Sequence, residues 1–564
     1  AKGVTPVLYE VGILKNKTQD HSLLHKTLRA WAETYRDGVT GKERIVVDYA
    51  LSLPSRSTVQ DDFVGRMLWA LSDKSGLPAR RLAEHTPAPS LEWYFSGLEE
   101  KRYHQSDLQR FGMSPRGSGD ETLHFSLICR PSPYHLSPFM MLFAGDEFHN
   151  RWDDIMYHLA SWLIKYLNDP RLLINLAKGG GQLHPQFRKM ISDKIVGYSR
   201  LEREGKFAEL AEIRTNFPMA IPCKQMKILW QLFLSQRVKS PFWNGNIVSW
   251  KQRIGADPLT ATLRFELREL LAPRILLNEP YNLSALSVDV TQTVAPRMSD
   301  FVQWELVLSS THIRSMLDVN QDEHFRHVLP ELIDDLQLLL KDALDLMKMM
   351  SDEEKESYNS HWHLPSISPH QQNHSHKDWT LLIELLRDAW LDILDTTPHK
   401  ATKIAIDWYS LPYPVFKRLA FFAASQDVNL PSAQWSSWLT DNDAKWLWSV
   451  ETGREVYRLL VLRGKDLNND DQQLLEKAIL AGPPDNLSGI FETDEQLQAY
   501  LCGRIWRALA KLQSSGLKLG ETAYSRFQAI AARYPKLRLA VNEHDEFSIW
   551  FGDTGEGETE TLFR

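Results

Sequence analysis

Hydrophobic positions recur at helical spacing through most of the chain beyond residue 150. Trp152, Ile155, Met156, Leu159, Trp162, Leu163, Tyr166 and Leu167 recur at spacings of three and four, which puts them on one stripe of a helix. Asn168-Asp169-Pro170 stops that helix, and RLLINLAK then runs to Gly179-Gly180-Gly181, as a helix carboxyl terminus would. The two segments read as a helical hairpin. The same period returns in PELIDDLQLLLKDALDLMKMM, residues 330–350, with Pro330 in the first turn. It returns again from Trp379 to Leu394, from Val415, from Lys445, from Asp470, from Glu495 and from Glu521.

The separators between these stripes are short, polar or rich in Pro and Gly, as in AGPPDNLSG at 481–489, which suits antiparallel neighbours stacked in sequence order. A pair of amphipathic helices cannot cover its own apolar face, so stacked pairs bury one another. The predicted fold is mainly α, a degenerate HEAT-like helical repeat array (an α-solenoid) without a fixed period. It divides into a mixed or helical amino-terminal region at 1–140, a helical block at 141–357, a polar His-rich linker at 358–378, a helical repeat block at 379–536, and a carboxyl-terminal piece at 537–564. RIVVDYALSL and TLHFSLICR in the first region fit strands or buried helical pieces equally. LRLAVNEHDEFSIWFGD alternates apolar with polar residues around a polar turn and predicts a β-hairpin, followed by an acidic tail.

Composition narrows the class. The chain has 564 residues, 43% hydrophobic and 24% charged, close to globular averages and too long for one ordinary core. No apolar run approaches the roughly 20 residues that span a bilayer, and the amino terminus lacks the apolar core of a secretory signal, so the reading is cytoplasmic with no membrane partner. Three widely spaced cysteines, Cys129, Cys223 and Cys502, suggest neither disulfides nor a thiolate zinc site. A net charge of -7 gives no general attraction to a polyanion, so nucleic acid is not the favoured partner. The sequence begins at Ala1, which reads as a processed or trimmed chain, or one part of something longer.

No motif names a catalytic centre, and no cofactor is implied. His361, His363, His370, His374 and His376 have metal-binding side chains at short spacing, but they sit among Ser, Pro, Gln and Asn without carboxylate or cysteine partners, so a solvated linker is the reading and no metal ligand is assigned. The triple glycine follows a helix rather than a strand and lacks the Lys and hydroxyl of a phosphate loop. Gly41-Lys42 reads as a turn, and Ser118 lies in a polar loop without the G-x-S-x-G spacing. The pairs Asp153-Asp154, Asp334-Asp335 and Asp470-Asp471 fall on helix surfaces or first turns, where carboxylates favour the helix dipole. Of 19 Trp and 23 Phe, most lie on the apolar stripes. The candidate exposed contact patch is Phe242 and Trp243 with Trp250, Lys251 and Arg253, where the period weakens and aromatics stand beside basic charge.

The stretch WDDIMYHLASWLIKYLNDPRLLINLAKGGGQLHPQF, with the later run YPVFKRLAFFAA…KWLWSVETGREVYRLLVL…DDQQLLEKAILAGPP, resembles the carboxyl-terminal helical region of bacterial anti-phage defence proteins of the sirtuin-domain type. The resemblance spans roughly two thirds of the chain. It implies a sensor or scaffold that binds a protein partner, such as a phage-derived protein, or an effector domain, and it is compatible with an oligomer. The GAGxS-type nucleotide loop and the sirtuin catalytic histidine motif are missing, so no catalytic residue carries over. Two alternatives stay open: an enzyme of unrecognised type, a nuclease or NAD-consuming protein with residues converging only in three dimensions, and a nucleic-acid-binding scaffold.

Overall fold

The computed structural model describes residues 163–547, except 179–182, 184, 240–245, 257, 281–296, 318–321, 352–359, 374–376 and 485–492. Phe242, Trp243, the amino-terminal region and the residues after 547 lie outside the described residues. Within them the chain is mainly helical with one small two-stranded antiparallel sheet, and no helix is long and apolar enough to cross a membrane.

The helices of nine or more residues are α1 (Pro170–Lys178), α2 (Pro185–Arg203), α3 (Phe207–Asn216), α4 (Lys224–Leu234), α5 (Ile247–Ala256), α6 (Ala261–Leu270), α7 (Ile333–Met350), α8 (Leu381–Thr396), α9 (Pro398–Ser410), α10 (Pro414–Gln426), α11 (Ser432–Trp448), α12 (Gly453–Arg463), α13 (Asn469–Ala481), α14 (Asp494–Ser514) and α15 (Glu521–Arg533). Strands β1 (Pro273–Asn278) and β2 (Gln303–Leu308) pair with each other. Two compact units form: the described residues before 245 with those of 274–305, and those of 245–273 with those from 306 onward.

In the first unit, the stop signal at Asn168-Asp169-Pro170 works through its side chains. The Asp169 carboxylate accepts from the Arg171 amide at 2.9 Å, capping α1, and the Asn168 side chain accepts from the Cys223 amide at 2.8 Å at the start of α4. Helix α4 turns Met226, Leu229, Trp230 and Phe233 inward against α1, and the buried Trp230 indole donates to the Leu167 carbonyl at 2.7 Å.

The second unit uses the same device. Trp250 donates to the Leu263 carbonyl at 2.7 Å and Trp390 to the Ala401 carbonyl at 2.9 Å, so each indole fills the core while its one polar atom fastens a neighbouring helix. From α7 onward the helices pack in sequence order, each touching the next or the next but one: α7 on α8, α8 on α9, α9 on α10, α10 on α12, α12 on α14 and α14 on α15. The sequence stripes at 330–350, 379–394, 415–426, 470–480, 495–513 and 521–534 correspond to α7, α8, α10, α13, α14 and α15. Asn468 and Thr493 cap α13 and α14 by accepting the amides of Asp471 and Gln496. Gly482 ends α13 with φ near +79° and ψ near 178°, a conformation open essentially only to glycine.

Three expectations change. The stripe beginning at Lys445 is not one helix, because residues 449–452 turn the chain between α11 and α12; α11 is itself broken at Asp441–Ala444, where Asn442, Asp443 and Ala444 are left-handed. The predicted carboxyl-terminal hairpin is absent from the described part of its span: Glu543–Glu546 forms a helical turn, with the Phe547 amide bonded to the Glu543 carbonyl at 3.0 Å. Residues 360–373 are not a solvated linker, since Leu364, Ser366 and Ile367 are fully buried within the second unit. In both of the last two cases side-chain bonds to distant helices override the local polar composition. Of the carboxylate pairs, Asp335 binds Arg264 at 2.7 Å and Asp471 accepts from Ser432 at 2.9 Å, so both serve packing.

Trp390 tests the core. Replacing it with Ala removes a fully buried indole at the contact of α8, α9 and α10, and is expected to lower the unfolding free energy by about 3–5 kcal/mol in urea titrations.

Candidate functional site

Helix α10 is buried on every side from Val415 to Ser425, yet its sequence places Lys417-Arg418 at the middle. A cation there must find partners, because an unpaired buried charge costs several kcal/mol. Arg418 and Glu455 of α12 are both fully buried and meet through two parallel bonds, Nη2 to Oε1 at 3.0 Å and Nε to Oε2 at 3.1 Å.

The remaining donors and acceptors of this pair hold the segment 360–373. Arg418 donates to the carbonyls of Leu364 at 2.8 Å and Pro365 at 3.0 Å, and to the Ser360 hydroxyl at 3.3 Å. The Ile367 amide donates to Glu455 at 3.0 Å, and the Ile367 carbonyl accepts from Arg387 of α8 at 3.0 Å. Asn373 closes the loop on itself: its carboxamide oxygen accepts from the Ser366 amide, and its nitrogen donates to the carbonyls of Ser366 and Ser368, all within 3.0 Å. A polar, Pro-rich stretch is thereby ordered without strand or long helix.

This anchored segment presents Trp362 with 57% of its surface exposed, flanked by His361 and His363. His361 packs edge-on to Trp362 and His363 edge-on to Trp379. Burial, with the Arg418 cation adding to it, pushes the His361 imidazole down to about 4, and burial also lowers His363. These imidazoles stay neutral near pH 7. The described histidines are held apart by different partners, His370 accepting from the Gln372 amide at 3.2 Å, and no group of three or more His, Cys, Asp or Glu among the described residues is placed to hold a metal ion.

A basic face meets the same segment at Ser366 and Gln372, which accept from Arg458 at 3.3 Å and Arg454 at 2.6 Å. On α12, Arg454, Tyr457 and Arg458 fall at i, i+3 and i+4, and on α14, Arg507 and Lys511 fall at i and i+4, so each set shares one helical face. The turn Glu543–Phe547 sits across them. Glu543 accepts from Arg458 with Nε at 2.9 Å, Glu546 pairs with Lys511 at 2.6 Å and Arg507 at 3.9 Å, and Gln372 donates to the Phe547 carbonyl at 3.0 Å.

Lys417, the other cation of α10, donates to the Tyr409 carbonyl and lies 4.4 Å from the Tyr409 ring and 5.7 Å from that of Trp446. Burial, reinforced by Lys445, pushes its ammonium down to about 8, and burial with Asp441 lifts the Tyr409 phenol to about 12. Tyr409 stacks on Trp438 at 4.7 Å. The ammonium is consumed by backbone and rings, so this arrangement packs α9, α10 and α11 together.

The residues singled out in sequence lie elsewhere. Trp250 is fully buried, edge-on to Phe325, so it offers no exposed aromatic; the loss of period upstream hid that it lies with Ile247 and Ile254 on the apolar face of α5. Lys251 donates to the Met316 carbonyl and pairs with Asp322, both at 2.7–2.8 Å. Burial works against ionisation of Asp322, but its bonds from Lys251 and the Phe325 amide hold the carboxyl below its usual range. Arg253 is engaged by Glu266 through both carboxylate oxygens, which lowers that carboxyl. The structure brings Trp250, Lys251 and Arg253 into intramolecular contacts rather than into a patch. Arg418, Glu455, Arg454 and Arg458 went unmarked because charged residues inside apolar stripes read as the solvated edge of a helix.

Comparison of the chain with protein-family models, with curated proteins and with solved structures found no match.

Two measurements check the site. Glu455→Ala leaves the Arg418 charge buried without its partner and is expected to cost about 3–5 kcal/mol in chemical denaturation, with a double-mutant cycle against Arg418→Met returning a coupling of at least about 1 kcal/mol. For pH, the His361 imidazole binds its proton at about 4 in the folded chain and near 6.5 when unfolded, so the unfolded state holds more protons between those values. Its contribution to stability is therefore complete above pH 6.5 and lost as pH falls towards 4. A pH series of thermal melts on His361→Gln should show a shallower decline across that window than the parent chain.

Proposed function

We propose that the chain is a non-catalytic helical scaffold that recognises a protein partner, as the sensor part of a bacterial anti-phage defence system operating in the cytoplasm. The helices that pack in sequence order then constitute a degenerate HEAT-like array, and a phage-derived protein is the ligand. The resemblance of the Trp152–Phe187 and 413–484 stretches to the helical region of sirtuin-domain defence proteins gives the biological direction.

The observation that carries the binding role is the use made of Arg418 and Glu455. Their hydrogen bonds go to each other and to the backbone or hydroxyl of 360–367, so they fix a surface segment rather than reach solvent. A segment held in one conformation loses little entropy on binding, and an exposed Trp on such a segment is a favoured anchor in protein interfaces.

The test is size-exclusion chromatography of the full chain with structural proteins of phages that trigger the system. Co-elution of one of them is expected, with Trp362→Ala weakening the complex at least about tenfold while the circular dichroism spectrum is unchanged. A triggering protein that forms no complex removes the reading.

A further inference from the structure

The contacts of Glu543–Phe547 are those of a bound peptide. The carboxylates of Glu543 and Glu546, three residues apart, sit on Arg458 at one end and on Arg507 and Lys511 at the other. Between them and the loop, the Phe547 ring lies 4.7 Å under the Arg454 guanidinium and 6.2 Å from the Tyr457 ring. The Phe547 carbonyl accepts from Gln372 at 3.0 Å and from Arg454 at 3.4 Å. Glu546 is nearly completely buried by these contacts.

The turn is too short to be stable by itself. It is four residues long, far below the length at which an isolated helix is stable, and Val541, two residues before it, is 97% exposed. Its placement therefore rests on the groove, whose cations come from α12 and α14 and whose carbonyl-binding amide comes from Gln372. Without the turn, Arg454, Arg458, Arg507 and Lys511 would form a concentrated positive face on a chain of net charge -7.

We infer that this groove is a docking site for an acidic-aromatic peptide segment of a partner protein, of the pattern Glu-x-x-Glu-Phe, and that Glu543–Phe547 occupies it in cis as a competitor. Peptide rather than nucleic acid is favoured because the groove captures a backbone carbonyl and an aromatic ring as well as two anions placed one helical turn apart. A polyphosphate would satisfy the cations but leave the Gln372 and Tyr457 contacts unused. The site is distinct from Trp362, so the two readings can fail separately.

The experiment uses the full chain and a fluorescein-labelled synthetic peptide of residues 541–547, VNEHDEF, read by fluorescence anisotropy. A chain carrying Glu543→Gln, Glu546→Gln and Phe547→Ala has its own segment weakened. It is expected to bind the peptide at least tenfold tighter than the parent chain. Adding Arg458→Ala should abolish that binding, and Trp362→Ala should leave it unchanged. In the parent chain, saturating peptide should speed hydrogen exchange at the Glu546 and Phe547 amides, a readout that does not depend on the variant folding. Equal or absent peptide binding to a folded triple variant, no change in exchange, or tighter binding of a single-stranded oligonucleotide than of the peptide would each overturn the inference.

Discussion

Two charges fully removed from water set the terms for the second unit. An arginine at the centre of a helix that is buried all round cannot be solvated, and its attraction to one carboxylate offsets only part of the desolvation. The rest has to come from hydrogen bonds that use the remaining donors of the guanidinium and the remaining lone pairs of the carboxylate. Arg418 and Glu455 find them in the backbone of 360–367. The packing of α10 against α12 and the conformation of a surface segment are thereby one problem with one solution. Apolar residues at both positions would pack the helices equally well and leave that segment without its anchors.

The Trp residues play the complementary part. Trp230, Trp250 and Trp390 each bury a large apolar surface and spend their single donor on the carbonyl of another helix or its flank. The contact is mostly non-directional, but the one hydrogen bond fixes the rotation of one helix against the next. Helices of modest length, linked by short turns, thus acquire defined orientations within each unit.

These two devices explain which parts of the fold were legible in the sequence. Stripes such as 333–350 and 381–394 announce themselves because an amphipathic helix writes its burial into its own spacing. Strands as short as Pro273–Asn278 and Gln303–Leu308 offer too few alternations to be told from loop, and both went unread. The polar span from 358 looks solvated because composition reports what a segment contains and not what it meets; the Asn373 side chain satisfies the main chain of Ser366, and the Ser366 hydroxyl accepts from Arg458. The run Asn542–Phe547 reads as the polar turn of a hairpin, yet its Glu543 and Glu546 are claimed by cations contributed by α12 and α14. The candidate site itself was invisible for the same reason, since no local rule marks Arg418 and Glu455, 37 positions apart, as partners.

Helix α12 is where the separate contacts become one device. Glu455 points to the buried pair, while its neighbours Arg454 and Arg458 point to the acidic turn, and Arg458 also donates to the Ser366 hydroxyl at 3.3 Å. The segment 360–373 is therefore gripped at Leu364–Ile367 by groups that never see water, and at Gln372 by groups that change partner if Glu543–Phe547 leaves. The inner grip costs several kcal/mol to break and keeps the fold; the outer one is made to a short turn, and its Arg458–Glu543 pair stays partly open to water, so it can be exchanged. A surface that must be rigid next to one that must be replaceable calls for this division, and a single turn of helix supplies it.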